Sequence, residues 1–248
     1  MLLSSTQSFV EFGRSDDNMK KIRAELRRLS KGNEEYAVFG KKIINTQKTV
    51  LGVRTPDFRK LSKSLAKEIN TYKQIEDLFK QIDKNVYEEV SVVGVLIVDS
   101  KLSDDEKIEL MKKYLQLVDN WAQIDGMVSA DMNSDEWWRF AVECLKSDKE
   151  FVVRFGVMVM MKCFIHGPKL NDVFKLTQAI KNDKYYIKMG IAWLYAETAV
   201  KQYKQTLAEV VKLEPWTQRK ALTKMTESFR FTPEQKTEIR ELRDKIKE

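Results

Sequence analysis

Trp121 and Asp125, four residues apart in Val118-Asp119-Asn120-Trp121-Ala122-Gln123-Ile124-Asp125, are the pair best suited to chemistry in this chain. On a helix, positions i and i+4 share one face, so an indole plane would stand beside a carboxylate. A carboxylate in a partly dry setting stabilises developing positive charge, and an indole face favours cations too. Arg154 is a lone cation in the apolar run Phe151-Val152-Val153-Arg154-Phe155-Gly156-Val157-Met158, which points to a groove edge with an anionic partner. Trp193 follows Gly190 and Ala192, whose small side chains let another helix approach closely. Each residue also has a plainer reading: a tryptophan packed in the core, an arginine in solvent, an aspartate capping a helix.

Other chemistries find less support. His166 is the only histidine, in a turn-like setting beside Gly167 and Pro168, which disfavours a histidine base or histidine metal ligands. Cys144 and Cys163 lack the C-x-x-C spacing of a zinc or redox site, and no glycine-rich phosphate loop occurs, so neither metal nor cofactor is expected. Lys plus Arg number 44 against 37 Asp plus Glu, a formal charge of +7, which suits a polyanionic partner such as nucleic acid without requiring one. The start lacks a signal-peptide pattern and no run of eighteen apolar residues occurs. A soluble, cytoplasmic monomer with no membrane partner is expected.

The elements that must position these residues read as helices. From Met19 onward apolar residues recur at intervals of three and four, as at Ile22, Leu26 and Leu29. Thr55 before Pro56 and Asp57 predicts an N-cap and a helix to about Ile69. Ser103 with Glu106 and Thr232 with Gln235 have capping-box spacing, and Ser134 before Trp137 predicts another start. About a dozen helices result. They pair as 71–82 with 86–99, 103–117 with 121–131, 134–146 with 149–163, and 169–180 with 183–199. Each pair spans the length of a helical hairpin in a solenoid, which favours degenerate helical repeats whose second helices line a concave side. Residues 1–18 read as a poorly ordered extension, and 19–248 as a single domain, since no linker interrupts them.

Taken in order, Gly52-Val53-Arg54-Thr55-Pro56-Asp57-Phe58-Arg59, Tyr87-Glu88-Glu89, Asp119-Asn120-Trp121 with Asp125, Arg154-Phe155 and Ala192-Trp193 resemble the AlkD-type bacterial DNA alkylation repair glycosylases. The resemblance covers about residues 33–230. It implies an all-α, HEAT-like helical-repeat solenoid with a concave basic groove, and removal of cationic alkylpurines such as 3-methyladenine and 7-methylguanine from double-stranded DNA. It carries over Asp125 as the catalytic carboxylate, Trp121 and Trp193 as aromatic walls against the lesion's sugar and backbone, and Arg154 as a contact to the DNA backbone. The family varies over the stretch corresponding to Ala122-Gln123-Ile124, and Met19–Val50 does not align with the N-terminal helices by which active members meet the minor groove. Lys48, Arg54, Arg59, Lys60, Lys188, Arg219 and Lys220 are the candidate phosphate contacts. The alternative is a non-catalytic DNA-binding or protein-scaffold member of the same fold. What separates the two is whether Trp121, Asp125, Arg154 and Trp193 share one open, positively rimmed groove.

Overall fold

A computed structural model describes the backbone of residues 5–246 and the side chains of residues 17–246. Its described residues form fourteen helices and no strand, and one isolated bridge joins Thr49 to Val86. Residue contacts divide the chain into two compact units, residues 1–127 and 128–248.

The first unit holds α1 (Ser5–Ser30), α2 (Glu34–Ile44), α3 (Thr55–Glu68), α4 (Tyr72–Gln81), α5 (Tyr87–Asp99), α6 (Asp104–Leu115) and α7 (Ala122–Asp125). The expected boundary at Met19 falls inside α1, whose backbone is helical from Ser5; residues 1–4 lie outside the described residues. Met19, Ile22 and Leu26 bury α1 against α4 and α5. Removing such side chains from water stabilises by about 1.5–3 kcal/mol each. α5 is the centre of this unit. Its residues Glu88–Gly94 are buried on every side because α1, α3, α4 and α6 all pack on it. At Gly94 a Cβ would stand 2.6 Å from the Tyr114 ring, so α6 approaches over bare backbone.

The second unit holds α8 (Asp135–Cys144), α9 (Glu150–Cys163), α10 (Leu170–Gln178), α11 (Tyr185–Ala199), α12 (Tyr203–Val210), α13 (Pro215–Glu227) and α14 (Pro233–Asp244). Here α9, α11 and α13 form one row of neighbours, while α8, α12 and α14 pack beside them, the layering of stacked helical hairpins. Residues Val153–Met160 of α9 are all buried, as a helix enclosed by its neighbours requires. Gly190 brings α11 onto α9, since a Cβ there would meet Met158 and Arg154 at 3.3 Å.

Helix starts follow the sequence with one shift. Ser103 and Thr232 make full capping boxes, and Ser134 accepts from the Trp137 N–H. Such caps contribute roughly 1 kcal/mol each. For α3 the cap is Arg54 rather than Thr55, because the preceding loop is held extended to Arg54 and Thr55 already has helical form. The expected helix over 121–131 is only the four residues of α7. It stops at Gly126, and the polar run Ser129 to Ser134 then forms turns, as residues whose side chains compete for backbone bonds do.

Candidate functional site

In the first unit the Trp121–Asp125 stretch is built around a buried polar network. The Asn120 carboxamide oxygen accepts from the Gln123 N–H at 3.0 Å, and its NH2 donates to Gln123 Oε1 at 2.9 Å and to Asp119 Oδ1 at 2.8 Å. The Gln123 side chain donates in turn to the Tyr87 carbonyl and to Ser91 Oγ, both at 3.2 Å, and the Tyr114 hydroxyl donates to the Gln123 carbonyl. Asn120 and Gln123 are fully buried, so these bonds fix α7 to α5 and α6 in one orientation. The Asp125 N–H donates to the Trp121 carbonyl at 2.9 Å, which is one helical turn. The two candidate side chains therefore share a face, both partly exposed. Trp121 Nε1 lies 3.4 Å from the Ile43 carbonyl at the end of α2, and α2 buries none of its residues and exposes Val38, Phe39 and Ile43.

Three other carboxylates in the same sequence words hold the scaffold together. Asp119 accepts from Thr46 Oγ1 at 2.7 Å and from the Gln47 N–H at 3.1 Å. Glu88 accepts from the backbone N–H groups of Leu51, Gly52 and Val53 at 2.9, 2.9 and 3.3 Å. Burial nevertheless pushes the Glu88 carboxyl above its ordinary value, outweighing these N–H donors. Glu89 takes a fork from Arg23 at 2.9 and 3.1 Å and the Asp83 N–H at 2.7 Å. With Thr49 bonded to Asn85 and Tyr87, the whole segment between α2 and α3 is strapped onto α5 and the α6–α7 turn. Thr46, Asn120 and Gln123 were not among the residues singled out for the site. Asn120 and Gln123 lie within the stretch itself, whereas Thr46, 73 residues before Asp119, carries no sequence signal of its role.

In the second unit Arg154 is 5 % exposed, not at a rim, and its Nη1 donates to the Tyr186 carbonyl at 2.6 Å. The bare backbone of Gly190 makes room for the guanidinium. Trp193, on α11, is half-buried and donates from Nε1 to Glu197 Oε1 at 3.0 Å. Arg230 grips the same carboxylate with two parallel bonds of 2.8 and 2.7 Å, holding the Glu197 carboxyl below the usual carboxylate range. The sequence reading missed both Glu197 and Arg230, which stand 33 residues apart.

The candidate phosphate contacts differ in setting. Arg59 and Lys60 are exposed on α3, and Arg54 lies over the Tyr36 ring at 4.5 Å. Lys48 donates to the Lys84 carbonyl at 2.8 Å. Lys188 and Lys220 both stand over the Trp216 ring, at 4.6 and 5.5 Å, and Lys188 also lies 3.5 Å from Glu214. Arg219 donates to the Ile246 carbonyl at 3.1 Å. A cavity of about 310 Å³ between the α10–α11 and α12–α13 connections includes Lys188, Lys212 and Glu214. Among the described residues no three His, Cys, Asp or Glu side chains gather as metal ligands, and no helix is long and apolar enough to cross a membrane.

A family model described as DNA alkylation repair enzyme matches residues 22–225, most of the chain. No curated protein matches the chain.

Proposed function

The chain belongs to the DNA alkylation repair enzyme family, and we propose that within it the chain is a DNA glycosylase hydrolysing the N-glycosidic bond of cationic alkylpurines, 3-methyladenine and 7-methylguanine, in duplex DNA. The observation that carries the reading is the pairing of a carboxylate with an indole: Asp125 is partly exposed and lies one helical turn from the partly exposed Trp121, so both side chains present one face to an approaching substrate. In this reading Asp125 is the catalytic carboxylate, and Trp121 and Trp193 offer indole faces to the lesion's sugar and backbone. Arg154, buried and donating to the Tyr186 carbonyl, supports the Trp193 helix from within by tying α9 to the start of α11 and does not itself reach a phosphate. The exposed apolar residues of α2, next to Trp121, support contact with a minor groove, where apolar side chains act as wedges.

Little machinery is needed for such a substrate. An alkylated purine already carries positive charge, so it departs as a neutral base with the bond's electron pair and needs no general acid. What remains is to stabilise the cationic sugar and to direct a water to C1′, and one carboxylate does both. The indole faces add cation stabilisation.

The test is single-turnover release of 7-methylguanine by Asp125→Asn. Asn keeps shape and removes charge, so release slows about 10²–10³-fold while DNA affinity changes little. Uracil, a neutral base that needs protonation to leave, stays in the DNA. Full activity in Asp125→Asn, or uracil release as fast as that of 7-methylguanine, refutes the mechanism.

A further inference from the structure

Phe229 is 100 % exposed, the most exposed of the large apolar side chains among the described residues. It occupies the tip of the short turn between α13 and α14, and both flanks of that tip are tied down. Before it, the Ser228 N–H donates to the Met225 carbonyl, and Ser228 Oγ accepts from the backbone N–H and Nε of Arg230 at 3.3 and 3.2 Å. After it, Arg230 clamps Glu197 with two bonds, Phe231 is buried with its ring 6.1 Å from that of Tyr203, and Thr232 starts α14 with a capping box. The turn thus commits one phenyl ring to the core and holds the other in water.

That placement is informative because of what the clamp joins. Glu197 accepts from Trp193 and from Arg230 on the same oxygen, at 3.0 and 2.7 Å, so three side chains make one rigid connection between the Trp193 indole and the Phe229 tip. A cation stands at the ring: Lys236 Nζ lies 5.7 Å from its centroid. An exposed aromatic ring beside a cation is how proteins bind unpaired or opened nucleic-acid strands, the cation meeting a phosphate and the ring stacking on a base.

We propose that Phe229 is a nucleobase-stacking residue, held at a fixed position relative to Trp193 by the Glu197–Arg230 pair, and that the α13–α14 turn is a second DNA-contacting element. The proposal rests on the reading of this protein as one that acts on DNA. Phe229 gives the ring, Lys236 supplies a cation beside it, and Glu197, paired with Arg230, is a positioning residue.

The experiment uses the full chain with duplexes that carry an abasic-site analogue and 2-aminopurine at successive neighbouring positions. Phe229→Ala weakens binding about tenfold, the scale of one lost base–aromatic stack, and leaves the salt dependence unchanged because no phosphate contact is lost. Phe229→Tyr retains wild-type affinity. One 2-aminopurine position loses its protein-induced change in emission in Phe229→Ala only. Because Phe229 makes no core contact, thermal unfolding of the two variants matches wild type. If wild type binds but Phe229→Ala binds within twofold and no 2-aminopurine position responds, the stacking role is wrong while the DNA reading stands. A change in oligomeric state in place of DNA affinity also overturns it, in favour of a protein contact. Absence of wild-type DNA binding overturns both.

Discussion

Replacing Glu88 by alanine takes the acceptor from three backbone donors at once, and the cost can be worked from the structure. The Leu51 and Gly52 bonds are 2.9 Å, and that of Val53 is a weaker 3.3 Å. Gly52 and Val53 are buried, so water cannot readily replace the lost carboxylate. Each buried donor left unpaired costs about 1–3 kcal/mol. Against this, Glu88→Ala releases a carboxylate whose burial is itself unfavourable, as the raised pKa shows. The net expectation is a loss of about 2–3 kcal/mol in the first unit, and Glu88→Gln, which keeps one acceptor oxygen, loses less. The sign with pH follows from linkage. A carboxyl with a raised folded pKa binds its proton more tightly in the fold. The wild-type advantage over Glu88→Ala is therefore greatest below the ordinary carboxylate range, declines as pH rises through the raised value, and is level above it. Amide hydrogen exchange at Leu51, Gly52 and Val53 is the direct assay, because the chain has two units and global unfolding can mix them. Unchanged exchange at these three amides in Glu88→Ala would show that Glu88 does not hold the strap.

Two further outcomes follow from the same strap and from the basic surface. Gly52 has φ +91°, and a Cβ there would meet the Asn33 carbonyl oxygen at 2.8 Å, so Gly52→Ala destabilises by more than about 1 kcal/mol in urea unfolding; a midpoint equal to wild type contradicts the backbone account. Duplex affinity falls steeply between low and physiological salt, and Arg59→Glu, on exposed α3, weakens it further with a shallower salt slope; salt-insensitive binding by fluorescence anisotropy removes the phosphate-contact reading.

Much of the helical framework was legible because its signals are local. The capping boxes at Ser103–Glu106 and Thr232–Gln235 operate across three residues, and the all-α character follows from a repeat spacing that any window of the chain displays. α7 was over-extended in the sequence reading for a related reason. Its start is fixed by Asn120 and Gln123, the latter bonding to Tyr87 and Ser91 over thirty residues earlier, and its end comes at Gly126, ahead of polar side chains that compete for backbone bonds. The Arg154 setting was equally hidden. Its partners include a main-chain carbonyl, that of Tyr186, and a carbonyl has no residue type to read.

The acids make the same point with consequences for function. Glu88, Glu89, Asp119 and Asp125 look alike in a sequence, and all four fall within words that carry the family resemblance. What Glu88, Glu89 and Asp119 hold is visible only in the structure, because Gly52, Arg23 and Thr46 lie 36, 66 and 73 residues away from them in sequence. Once Glu88 holds the strap, Glu89 holds Arg23 and Asp119 holds Thr46, a substitution at any of them acts through stability and through the placement of Trp121. In the proposed glycosylase, a substitution at Asp125 acts on the chemical step. Loss of activity alone therefore does not identify the catalytic acid. The identifying pattern is a variant that loses base release while its amide protection and DNA affinity remain those of the wild type, and in the proposed glycosylase that pattern belongs to Asp125 and not to the other three.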